Sequence, residues 1–164
     1  MVDIRHRARF ATVPAGVYFD HFTPAVATSH PTLLLVHGGG HTGSCWLLTA
    51  DGRPGWAYRF AAAGYPVAVP DWPGHGRSGA LDPDQLTGEA VCAGLAGVID
   101  LLEGPVVLVT HSMGGALGWR LVELRSARVR GVAGIAPGPP GNIQPEGEIV
   151  CETEEELWIR TPTR

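Results

Sequence analysis

Three short segments carry residue types at spacings that could do chemistry, and each follows a strand-like run. THSMGG (110–115) sets one serine between a β-branched run and a glycine pair. A strand that enters a helix through Ser-x-Gly-Gly can force the serine into a strained turn, lift its hydroxyl above the sheet and aim the next backbone N–H at a developing oxyanion. Ser112 is therefore the candidate nucleophile, weighed against the plainer reading of a helix-capping serine. HGGGHTGSCW (37–46) opens on three glycines that let a backbone N–H approach a substrate carbonyl oxygen. DWPGHGRSG (71–79) reads as a tight turn in which Asp71 accepts backbone N–H bonds, and His75 belongs to that turn rather than to the chemistry. Two rival chemistries fall away. His37 and His41 have the four-residue spacing of a helical metal pair, but three glycines between them argue against a helix, so no metal is expected. A phosphate loop needs Gly-Lys-Ser/Thr, and the chain contains no lysine.

Composition bounds the rest. At 164 residues, 45% apolar and 17% charged, the chain is of single-domain size and globular type. A net charge of −4 gives no electrostatic reason to expect nucleic acid or an anionic membrane as a partner. Cys45, Cys92 and Cys151 are odd in number and widely spaced, which makes neither a disulfide framework nor a zinc pattern. The N-terminus has no apolar core of a secretory signal, and no run of 18 apolar residues is long enough for a bilayer. A reducing cytoplasm is the expected location.

Stepping along the chain, strand-like and helix-like segments alternate, the mark of an α/β fold with a largely parallel sheet. RFATV and VYFDHF, separated by Pro14 and Gly16, predict a short antiparallel lead-in. TLLLVHG (32–38) is a near-continuous apolar run, as a strand buried on both faces requires. GWAYRFAAAG (55–64) predicts a helix and YPVAVPDW (65–72) a strand. From Asp82 to Glu103, the helical spacing of Val91, Leu95, Val98 and Leu102 marks one buried stripe, with Asp82 or Asp84 as candidate cap and Pro83 in the first turn. PVVLVTHS, GGALGWRLVELR and VRGVAGIAP then predict strand, helix and strand, with Leu117, Leu121 and Leu124 turned toward the sheet.

The order of these motifs, His-Gly-Gly-Gly after one strand, D-x-P-G-H-G-R-S after the next and Ser-x-Gly-Gly after the third, resembles the α/β-hydrolase superfamily. HGGGHTGSCW followed by DGRPGW and DWPGHGRSG is similar to a bacterial esterase-like subgroup. The resemblance covers residues 9–140 or so and implies an α/β-hydrolase fold: a mostly parallel sheet with helices on both faces, C-terminally incomplete. It implies Ser112 as nucleophile, the backbone N–H groups of Gly39 and Met113 as oxyanion hole, and His37, Gly38, Gly40, His41 and His111 as pocket lining. The implied reaction is hydrolysis of a small-molecule ester through an acyl-serine, without metal or organic cofactor.

A serine hydroxyl is a weak nucleophile and needs a base that is itself oriented by an acid. In this fold the chain order is Ser, then Asp or Glu, then His. All seven histidines (His6, His21, His30, His37, His41, His75, His111) precede Ser112. His111 is a strand neighbour of Ser112 and points to the opposite face, so it is badly placed as the base. Where some members of the subgroup carry the acid, this chain has Ala136. Residues 1–140 are therefore expected to form the front part of a hydrolase core, and 141–164 the start of a cap or a disordered tail. TEEELWIR in that tail leaves a helix open, and Glu152–Glu156 reads as a solvated acidic face. Three expectations follow: truncation, a non-catalytic binding module, or a histidine donated by another chain. The last two require the exposed final strand to be covered, which opens self-association through the sheet edge.

Overall fold

Apolar runs of β-branched residues and leucine build the centre of the sheet. A computed structural model describes residues 3–13, 16–140, 148–153 and 157–160. Its strands are β1 (Ile4–Ala11), β2 (Val17–Pro24), β3 (Thr32–Val36), β4 (Val67–Pro70), β5 (Val106–His111) and β6 (Val129–Ile135), in the spatial order β1-β2-β4-β3-β5-β6. β1, β2 and β4 pair antiparallel in turn, whereas β4, β3, β5 and β6 run parallel. The helices are α1 (Ser44–Leu47), α2 (Trp56–Ala62), α3 (Gly88–Leu101) and α4 (Met113–Leu124).

All five residues of β3 are buried, because the strand has a core on each face. Leu34 and Val36 join Phe19, Leu108, Leu95, Ile99 and Leu121 on the side of α3 and α4. Leu33 and Leu35 join Phe22, Val67, Val109, Ala57 and Ala61 on the side of α2. The α3 stripe is as its spacing predicts, with Val91, Leu95, Val98 and Leu102 all buried. On α4, Leu121 is fully buried while Leu117 and Leu124 pack at the margin of the same core.

The structure differs from the sequence expectation in four places. β1 begins at Ile4 rather than Arg9, since an edge strand can carry Arg5, Arg7 and Arg9 on its open face. Thr87, not Asp82 or Asp84, caps α3, accepting a hydrogen bond from the Ala90 N–H at 3.2 Å, while Asp82 and Pro83 open a separate 3₁₀ turn. The four-residue α1 carries no periodic signal and was not anticipated. β7 (Glu148–Glu152) and β8 (Leu157–Arg160) form a separate antiparallel pair where the sequence allows a helix. Residues 141–147 of the expected cap, Glu154–Glu156 of its acidic face and Pro14 lie outside the described residues. At the far side of the main sheet β6 pairs, among the described residues, only with β5, and Val132, Ala133 and Gly134 are exposed.

Leu108 sits fully buried in β5, so Leu108→Ala is expected to cost about 2–5 kcal/mol in urea unfolding, through lost burial and the cavity it leaves. Leu48→Ala, at an exposed position, is expected to change stability by less than about 0.5 kcal/mol.

Candidate active site

The junction between β5 and α4 is a turn of one residue. Ser112 has φ +50° and ψ −124°, a backbone conformation that L-residues rarely adopt. Three hydrogen bonds hold it there. The Ser112 N–H donates to the Ile135 carbonyl at 3.2 Å, and the Ser112 carbonyl accepts from the N–H groups of Gly115 at 2.8 Å and Gly138 at 2.6 Å. The residue is exposed, and its hydroxyl makes no cap for the helix, so the capping alternative does not describe it. Met113 is the first residue of α4, where backbone N–H groups have no partner within the helix and the positive end of the helix dipole lies.

The parallel register of β3 and β5, with Val36 opposite Thr110, brings the loop after β3 level with this turn. The two meet closely. A Cβ on Gly114 would stand 2.4 Å from the His37 carbonyl oxygen, and one on Gly38 would stand 3.0 Å from Ser112 Cβ and 2.9 Å from His111 Nδ1. Gly39 lies against the Met113 side chain, with Met113 Cε 2.9 Å from where its Cβ would be. The irregular Thr110 is accommodated by α4, because Gly118 leaves room for its methyl group. Its hydroxyl is buried without a hydrogen-bond partner among the described residues.

Two further groups fix the loop from behind. His37, expected to line the pocket, is fully buried instead and stacks on Trp72 at 4.4 Å between ring centroids. Its Nε2 accepts the Trp72 N–H at 3.3 Å, so the proton resides on Nδ1, which donates to the Gly38 carbonyl at 2.9 Å. Burial pushes its pKa down to about 4, against smaller opposing effects from that bond and from Asp71. At neutral pH His37 is an uncharged positioning group and not a base.

Asp71 is buried and does accept backbone N–H bonds, from Gly43 at 2.7 Å and Arg77 at 2.8 Å. The Arg77 side chain adds two more and reaches Asp20 at 2.8 Å with a third nitrogen. Burial alone would raise the Asp71 carboxyl, and these bonds outweigh it, holding the group below the usual carboxylate range. His75 bonds the Pro73 carbonyl within the same turn, as a structural role requires.

Beside the turn lies a small cleft of about 210 Å³, lined by His41, Cys45, Trp46, Trp56, His111 and Ile135. His41 and His111 meet edge to face at 5.7 Å, so these two expected pocket residues do share a wall. Gly40 is exposed, beside a shallow depression that it shares with His41. The aromatic wall of Trp46 and Trp56 was not anticipated, since its members come from separate elements and no spacing links them. Among the described residues no histidine or carboxylate is hydrogen-bonded to the Ser112 hydroxyl. Ala136, at the position considered for an acid, has φ +42°.

A mostly parallel sheet with helices on both faces and a strained serine at a strand-to-helix turn define the class of α/β-hydrolase folds. Residues 33–160 match the alpha/beta hydrolase family, and the chain belongs to that family. It is 26% identical to a fungal protein described as a probable secreted lipase, phiG, over 85% of this chain and 56% of that protein. It is 34% identical to the lipase LipV of Mycobacterium tuberculosis, over 64% of this chain and 36% of that one. Among solved structures, the thioesterase domain from the curacin biosynthetic pathway shares its fold, with a TM-score of 0.68 and 23% identity over 88% of this chain and 57% of that domain. The chain thus spans little more than half the length of phiG and about a third of LipV.

The depressed pKa of His37 has a sign that can be measured. Between pH 6.5 and about 4 the unfolded chain binds a proton that folded His37 refuses, so this stability is full above pH 6.5 and is lost toward pH 4. Urea unfolding from pH 7 to 4 is expected to show that fall, with His21 contributing in the same direction. His37→Gln, which keeps one donor and one acceptor, should flatten it.

Proposed function

We propose that Ser112 is the nucleophile of a carboxylic-ester hydrolase of esterase or lipase type, with the backbone N–H groups of Gly39 and Met113 as its oxyanion hole. The observation that carries this reading is the left-handed backbone of Ser112, held at a turn whose next residue opens a helix. The Ser112 oxygen attacks the ester carbonyl carbon, and the carbonyl π electrons move onto oxygen, where the two N–H groups stabilise the charge. Collapse of that intermediate expels the alcohol and leaves an acyl-serine, which water then cleaves. Both halves need a base to take a proton and return it to the leaving oxygen.

His41 and His111 border the cleft without bonding Ser112, and His37 is committed to Gly38 and Trp72. The base and acid are therefore assigned to polypeptide outside the described residues or to a second chain. The open edge of β6 is where a complementing strand, or another copy of this chain, would pair. The aromatic cleft would receive one side of a small ester. Among the described residues no helix is long and apolar enough to cross a membrane, and a reducing compartment suits the exposed, unpaired Cys45.

A fluorophosphonate probe tests the reading on the chain of 164 residues. Labelling is expected at Ser112 only, to vanish in Ser112→Ala, and to rise by about tenfold or more when imidazole supplies the missing base. Equal labelling of Ser112→Ala would refute the assignment. A folded chain that stays unlabelled with imidazole present would favour a module that only binds.

A further inference from the structure

A concavity of about 750 Å³ lies at the opposite end of the sheet from Ser112, where Thr32, Pro66 and Pro105 lead into β3, β4 and β5. We propose that this cavity is a binding site for a small organic oxyanion, a phosphate monoester or a polycarboxylate, held by Arg7, Arg9 and His21. The proposal is independent of any role for Ser112.

The strand register builds the charged wall. Arg7 and Arg9 are two apart on β1 and therefore share a face, and His21 of β2 stands directly opposite Arg7. Arg9 lies over the Phe19 ring at 5.3 Å, which limits where its guanidinium can point. One Arg9 nitrogen is 3.3 Å from His21 Nδ1. Arginine only donates, so Nδ1 is the acceptor and the imidazole proton sits on Nε2, giving the wall a further N–H. Thr23 and Ser29 line the same space.

Charge accounting separates these two arginines from the four that are neutralised by carboxylates. Arg53, Arg77, Arg120 and Arg125 each meet a carboxylate within 2.9 Å. The Arg7 side chain has no hydrogen bond or ion pair among the described residues, and the side-chain partner of Arg9 is an uncharged ring. Glu103 is the one carboxylate on the cavity wall, against two guanidiniums. In a chain of net charge −4, a concave surface with excess positive charge favours an oxyanion whose paired oxygens guanidinium forks can grip. His21 registers the same field. Burial first and then Arg9 push its pKa down to about 4, Glu103 opposes them, and Arg7 adds a smaller push in the same direction as Arg9. An oxyanion seated beside it would offset the two cations and raise that value.

Calorimetric titration with inorganic phosphate and with citrate at low salt, followed in parallel by the NMR titration of His21, tests the site. Saturable binding of either ion is expected, with the His21 midpoint moving up toward 6.5, and the tighter ion tells a phosphate-bearing from a carboxylate-bearing ligand. Arg7→Ala and Arg9→Gln should each weaken binding by about tenfold or more. Arg59→Ala, an exposed arginine on α2, should leave it unchanged. Arg7 is exposed, so its removal leaves the fold intact, as circular dichroism will verify. Absence of saturable binding, or equal weakening by Arg7→Ala and Arg59→Ala, overturns the proposal.

Discussion

Ser112 is held in a backbone conformation that costs a non-glycine residue roughly 1–3 kcal/mol, and the site around it exists to impose that conformation. The strain persists because the neighbours over-determine it. The Ser112 carbonyl is claimed by the Gly115 and Gly138 N–H groups and its N–H by Ile135, so the residue cannot relax without breaking bonds in α4, β6 and the segment after β6 at once. Gly114 lets the helix sit almost on the His37 carbonyl, which places the first turn of α4 beside the glycine loop.

That closeness would be of little use if the glycine loop could drift. Glycines give it no stiffness of their own. The stiffness comes from the next turn in the sequence, through His37 clamped to Trp72 and Gly43 bonded to a buried Asp71. Arg77 bridges the buried carboxylates of Asp71 and Asp20, and removing it would leave both short of a partner. The polar core thus serves geometry more than net stability. Three segments separated in sequence become one rigid edge.

Much of this was legible before the structure. β3, β4, β5 and β6 announce themselves as apolar runs, and the α3 stripe has clear helical spacing. The Ser112 turn and the Asp71 turn were both read correctly from glycine and proline placement. What was hidden depended on the third dimension. β1 looks too charged to be a strand until its place at the sheet edge is known. The tolerance of Thr110 rests on Gly118, eight positions on, whose missing side chain makes the room. His37 looked like a pocket residue because it adjoins the glycines, and only the fold shows Trp72 stacked on it. The aromatic cleft draws on α1, α2, β5 and β6, and no single stretch of sequence contains it.

The most direct test of the account compares the unfolding free energies of Ser112→Gly and Ser112→Ala. Both remove the hydroxyl, which has no hydrogen bond to lose among the described residues, but only glycine adopts φ +50° without penalty. After allowing for the greater freedom of glycine in the unfolded chain, Ser112→Gly is expected to be more stable than Ser112→Ala by about 1 kcal/mol. Equal stability, or a more stable alanine variant, would show that the turn holds no strain and would contradict the account.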